Sequence, residues 1–168
     1  MNTLILPGFS PQNQSWAESV RTQLHLSGES VVSWHHWTSG RPEPDWVERE
    51  TSEIIDRIVM EQVSLLAKSI GTLIAMRVIK AKPDLIHKVL LCGIPVNDFR
   101  PGNAAEYEIL KQFSVNKCLC LQNRDDPHGS FDQAETLIHA VNPHIPVLSR
   151  PGQDHEYPYF DDFRSFLT

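Results

Sequence analysis

The sequence predicts an α/β domain, a three-layer sandwich in which a mostly parallel sheet of about six strands carries helices on both faces. Three observations predict it. Short apolar runs alternate along the chain with segments of helical period, such as Trp16, Val20 and Leu24, whereas the runs themselves are continuously apolar, as in Val89-Leu90-Leu91. Continuous runs mark strands buried on both faces, which is the environment of a parallel sheet between helix layers. The 168 residues, 40% of them hydrophobic, fit one domain with a core that needs no disulfide or metal. Residues 1–168 are therefore read as a single domain, with no Gly/Ser linker, low-complexity tract or internal repeat to divide it.

The elements follow in order. Thr3-Leu4-Ile5-Leu6 is a strand closed by Pro7-Gly8, and Ser15 to Leu26 is a helix. Val31-Val32-Ser33-Trp34 reads as a second strand, followed by a Gly/Pro-rich loop and by Asp45 as a helix cap. From Trp46 the positions Val47, Ile54, Ile55 and Ile58 outline an amphipathic helix with acids near its start. Val63 to Leu66 is the third strand and Ile70 to Ile79 the helix after it. Val89 to Gly93 is the fourth strand, Ala104 to Phe113 a helix, and Lys117 to Gln122 the fifth strand. Ser130 to Val141 is a helix, and Ile145 to Leu148 a sixth strand placed at an edge by Pro146. Tyr159 to Leu167 closes the chain as a short helix.

Charge and composition exclude several classes of function. A net charge of −6 lacks the basic footprint of a nucleic-acid binder. No apolar run approaches the ~20 residues of a membrane span. The N-terminal stretch has neither the basic start nor the apolar core of a secretory signal, so a cytoplasmic location is expected. Cys118 and Cys120 stand two apart on one face of a strand, poorly placed to bridge each other, and Cys92 lies within a strand, so all three read as reduced structural thiols. His35 and His36 are adjacent on an extended segment and face opposite ways, so no metal site is expected there or elsewhere.

In such sheets ligands bind beyond the carboxyl ends of the strands. Those ends carry Gly8-Phe9, Ser69-Ile70, Asp125-Asp126 and His155. Ser69 stands at a sharp strand-to-helix turn between small residues, in Ala67-x-Ser69-x-Gly71, where its hydroxyl is lifted above the sheet. A serine opening a helix can also serve only as a cap. As a nucleophile Ser69 needs a base to take its proton, and His155 suits that role because imidazole titrates near neutral pH. His155 in turn needs a carboxylate to fix its tautomer. Asp126 is preferred to Asp125 because it immediately precedes the short turn Pro127-His128-Gly129, while Asp125 reads as a solvated turn residue.

Taken together, Leu6-Pro7-Gly8-Phe9, Trp46, Ala67-Lys68-Ser69-Ile70-Gly71, Asp125-Asp126-Pro127 and Gly152-Gln153-Asp154-His155 resemble the small, lid-less serine hydrolases of the α/β-hydrolase family. The group related to retinoblastoma-binding serine hydrolases is included in that resemblance. The chain departs from the family at Ala67, usually Gly, at Pro7, usually His, and at Lys68, often His. It is too short for the full family core with a cap, which implies a minimal fold without the first two strands and with an open site.

The resemblance implies hydrolysis of a small carboxylic ester or thioester through an acyl-enzyme, with Ser69, His155 and Asp126 as catalytic residues and no cofactor. It implies an oxyanion hole made by the backbone N–H groups of Phe9 and Ile70. Trp34, His36 and Trp37 follow the second predicted strand at the same edge and are candidates to line a pocket. The partner expected is a small ester or acyl substrate. A catalytically inactive binding module with the same shell, or acyl transfer to an acceptor other than water, would use the same residues.

Overall fold

The apolar runs pair as parallel neighbours in the order in which the chain makes them. A computed structural model describes residues 2–168, with β1 (Asn2–Leu6), β2 (Val63–Lys68), β3 (Ile86–Cys92), β4 (Cys118–Asn123) and β5 (Val147–Arg150) hydrogen-bonded in that order. The register sets Leu6 beside Ala67, Ala67 beside Leu91, and Leu91 beside Cys120, so the carboxyl ends of the inner strands finish together.

Side-chain alternation along the strands separates two cores. Leu4, Leu6, Leu65, Ala67, Val89, Leu91, Cys118 and Cys120 face α3 (Trp46–Arg57), α4 (Ile70–Ala81) and α6 (Phe131–Val141). Ile5, Leu66, Leu90, Cys92, Leu119 and Leu121 face α1 (Asn13–Gln23) and α7 (Phe160–Leu167) through Trp16, Val20 and Phe163. The three-layer α/β arrangement is as the sequence predicts. All three cysteines are free and buried, and burial pushes the Cys92 thiol well up from its ordinary range. No helix among the described residues is long and apolar enough to cross a membrane.

The sheet has five strands, not six. The second predicted strand reduces to a single bridge, Val31 to Ile5, with the Val32 N–H on the Ile5 carbonyl at 3.1 Å. Beyond it the chain turns away because Trp34 buries its indole, which donates to Gly8 O at 3.0 Å, and a short helix α2 (His36–Ser39) begins. The helix expected at 104–113 is also broken, into α5 (Asn103–Glu106) and a 3-10 stretch, Tyr107–Lys111. In a 3-10 helix residues three apart eclipse each other, and here that aligns Tyr107 and Leu110, both fully buried. The Tyr107 hydroxyl shares a 2.6 Å hydrogen bond with Thr72 Oγ1 on α4.

The last strand begins two residues later than expected, and Pro146 lies just before it, where its carbonyl accepts from Cys120 N at 3.0 Å and no N–H is required. It is the edge strand that its proline predicts. Asp45 occupies the residue before α3 but makes no side-chain cap bond. Helix α6 instead carries a full capping box between Ser130 and Gln133.

Candidate active site

Ser69 is the single residue between β2 and α4, and it has φ 56° and ψ −125°. An L-residue with a side chain pays for such a backbone, so the surroundings must enforce it. They do so by hydrogen bonds on both sides: Ser69 N–H donates to Cys92 O at 3.1 Å, and Ser69 O accepts from Thr72 N at 2.9 Å and Thr72 Oγ1 at 2.7 Å. Close approach contributes as well. A Cβ on Gly71 would lie 2.1 Å from Leu6 O, so only glycine lets the first turn of α4 pass the end of β1. The Ala67 methyl, by contrast, is absorbed in the core on the α3/α4 face, fully buried. Ser69 is half-buried, and its hydroxyl makes no hydrogen bond among the described residues.

Beyond β4 and β5 the structure joins the acid and the imidazole. His155 Nδ1 lies 2.7 Å from Asp126 Oδ2, and the Asp126 side chain is buried. The same oxygen accepts the Tyr157 hydroxyl at 2.6 Å, while Oδ1 accepts the His128 N–H at 2.8 Å. Burial works to raise the Asp126 pKa, but the hydrogen bonds from His155 and Tyr157, the His155 charge and the His128 N–H outweigh it and hold the carboxyl below its ordinary value. A carboxylate only accepts, so Nδ1 carries the proton, and in the neutral imidazole Nε2 is then the acceptor. That Nε2 is buried and has no hydrogen-bond partner. Asp125 is exposed and makes no contact with His155; its N–H donates to Gly152 O at 3.2 Å.

Ser69 N–H is bonded to Cys92 O, and His155 reaches the next residue, Gly93. A Cβ there would lie 3.0 Å from His155 Cε1 and 2.7 Å from Tyr157 Cε2, so this glycine, with φ +63°, admits the imidazole to the end of β3. No hydrogen bond joins Ser69 Oγ to His155 Nε2.

The loop after β1 is held by the aromatic segment. Trp34 Nε1 donates to Gly8 O at 3.0 Å, while His36 Nε2, at 2.8 Å, and Trp37 Nε1, at 2.8 Å, both meet Phe9 O. The Phe9 ring stacks on His36 with centroids 4.6 Å apart. Trp34 and His36 are thus buried clamps on the Gly8-Phe9 backbone, and none of Trp34, His36 and Trp37 borders the cavity beside His155. Each of the three gives one ring nitrogen to a main-chain carbonyl, while His36 Nδ1 is buried without a hydrogen-bond partner among the described residues. Phe9 and Ile70 N–H have no hydrogen-bond partner among the described residues. His35 turns the other way, onto Glu50 Oε1 at 3.0 Å; His35, Glu50 and Glu53 are the one group of three possible metal ligands gathered within 4.8 Å among the described residues.

Tyr157 and Asn123 are site residues that the sequence reading missed. Asn123 ends β4, where its N–H donates to the Tyr157 hydroxyl at 3.1 Å and its side chain donates to Asp154 O at 2.9 Å and Glu156 O at 2.8 Å, which ties the His155 segment to the sheet. The available signal was Tyr157 itself, a tyrosine two residues past the histidine, whose hydroxyl needs a partner when buried.

Comparison with solved structures bears on this architecture. A YdeN-like protein from Pectobacterium atrosepticum, described as a candidate hydrolase, superposes with a TM-score of 0.68 at 16% identity over 98% of this chain and 89% of its own. A bromoperoxidase from Bacillus anthracis gives 0.57 at 13% identity over 98% and 89%. The chain has the α/β-hydrolase fold. A protein of unknown function from Agrobacterium tumefaciens matches with a TM-score of 0.63 at 17% identity over 99% of this chain and 89% of its own. No family model and no curated protein matches the sequence, so the resemblance to the retinoblastoma-binding group has no support at that level. Within the α/β-hydrolase fold, Ser69, Asp126 and His155 all follow the carboxyl ends of strands, on the side where such sheets bind ligands.

Proposed function

We propose that the protein is a serine hydrolase that cleaves a small carboxylic ester or thioester through an acyl-enzyme. The observation that carries this reading is the His155–Asp126 bond, which leaves a bare, buried Nε2 at the strand edge that holds the strained Ser69. Ser69 Oγ attacks the acyl carbon as its proton passes to His155 Nε2, and the imidazolium is stabilised by the ionised Asp126. The oxyanion meets the N–H groups of Phe9 and Ile70, the latter at the positive end of α4. The imidazolium returns its proton to the departing alkoxide or thiolate. Water, deprotonated by the same Nε2, then releases the acid and regenerates Ser69.

The absence of a Ser69–His155 hydrogen bond favours a second reading, a binding module that keeps the hydrolase shell without its chemistry. In uncomplexed enzymes such bonds are often long and tighten only around substrate, which keeps the catalytic reading ahead. A fluorophosphonate probe separates the two. Labelling of the protein that disappears in Ser69→Ala, together with a fall in ester turnover of about 10⁶, is expected for the hydrolase. Labelling undiminished by that substitution removes Ser69 as nucleophile, and no labelling and no turnover across an ester and thioester panel establishes the binding module.

A further inference from the structure

The ester-hydrolase reading leaves unexplained a charged group next to its own nucleophile. Lys68 is the last residue of β2, and alternation turns it away from the Ala67 face toward α1 and α7. There its side chain is 2% exposed. Its Nζ lies 2.9 Å from Asn13 Oδ1, 3.6 Å from Glu156 Oε2 and 5.3 Å from the centre of the Trp16 ring. An ammonium has three donors, and here one meets a neutral amide oxygen at hydrogen-bond distance. The one carboxylate within ion-pair distance of it among the described residues belongs to a side chain that is 69% exposed, and a pair with so solvated a partner contributes little. Burying a charge without a strong partner is costly, and an apolar residue would fill this place more cheaply.

Lys68 borders a cavity of about 610 Å³ that it shares with Asn13, Trp16, His155, Glu156 and Phe160. That volume is in the range of small-molecule sites. The first turn of α1 forms part of the wall and carries no acidic residue, so its positive end adds to the Lys68 field. Glu156 is the one carboxylate on the wall, and its exposed side chain can swing out to solvent when another anion takes its place.

We infer that this cavity receives a free carboxylate of the substrate, paired with Lys68 Nζ, so that the enzyme selects half-esters of dicarboxylic acids over neutral esters. The inference rests on the hydrolase reading for its chemistry, but the carboxylate site stands on Lys68 and the cavity alone. Asn13 holds the ammonium in place and Trp16 flanks it, while the ester carbonyl of the same ligand lies toward His155, also on the wall.

The test compares 4-nitrophenyl hemiglutarate with its methyl ester, and in parallel measures calorimetrically the binding of monoethyl and diethyl glutarate to the Ser69→Ala protein. In the wild type the charged ester is expected to exceed the neutral one in kcat/KM by about tenfold or more, the size of one well-placed charge-assisted bond. That ratio is expected to collapse in Lys68→Met and to rise in Glu156→Gln. If no ester turns over, the hydrolase reading fails, and the binding arm alone decides the carboxylate site. Monoethyl glutarate bound more tightly than diethyl glutarate, with the preference lost in Lys68→Met, supports the site whatever the chemistry. Equal treatment of charged and neutral ligands by the wild type, or a preference that survives Lys68→Met, overturns it. Should Lys68→Met not fold, an unchanged preference in Glu156→Gln does the same.

Discussion

The Tyr157 hydroxyl donates to Asp126 Oδ2 at 2.6 Å, on the same oxygen that holds His155. Both partners are buried, and the phenol pKa is pushed far up, first by burial and then by its bond to Asp126, so it stays a donor. Tyr157→Phe keeps the ring and removes the donor, leaving Asp126 short of one bond and Asn123 N–H without an acceptor. The expected cost is about 1–3 kcal/mol of stability, from the buried groups left unpaired. Denaturant unfolding measures it. In the proposed mechanism kcat also falls, because Asp126 then holds the imidazole less firmly, while KM changes little.

Acid stability follows from Asp126. Its folded pKa lies below the unfolded value of about 3.9, so its contribution is fully present above that value and is lost as pH falls through the folded pKa. The wild type is therefore expected to exceed Asp126→Asn in unfolding free energy near pH 6, with the gap closing as pH falls below about 4. Urea melts of the two proteins across that range check it; a gap that is constant or widens in acid contradicts the assigned direction. Under the proposed mechanism Asp126→Asn also costs about 10⁴ in kcat, since an amide no longer fixes the Nδ1–H tautomer.

The parts of the site legible in the sequence were those that depend on local backbone chemistry. Small residues around Ser69 announce a crowded turn, and Gly71 meets the Leu6 carbonyl as that pattern implies. Asp126 could be preferred to Asp125 from its turn, and it is Asp126 that reaches His155. What escaped depends on side chains from distant segments. Val31-Val32 has strand composition, but the indole bond from Trp34 to Gly8 draws the chain off the sheet after one bridge, an override that propensity does not contain. Lys68 stands in the sequence only as a departure from the family pattern, and the fold alone shows it buried between α1 and the His155 segment.

The Trp34 indole gives the most direct test of how the proposed oxyanion loop is held. Peptide units here are trans and planar, so the Gly8 carbonyl and the Phe9 N–H point in opposite directions from one rigid unit. By holding Gly8 O at 3.0 Å, Trp34 Nε1 thus fixes where the Phe9 N–H aims. Trp34→Phe leaves an aromatic ring in the core but frees that carbonyl. Removing an oxyanion donor outright costs about 10²–10³ in kcat, and loosening one should cost less, about tenfold or somewhat more. The loss is expected in kcat, with KM nearly constant, because the ground-state ester gains little from this donor. A merely structural Trp34 would instead lower the melting temperature and leave kcat of the folded fraction unchanged. Steady-state kinetics at a temperature well below that transition distinguish the two outcomes.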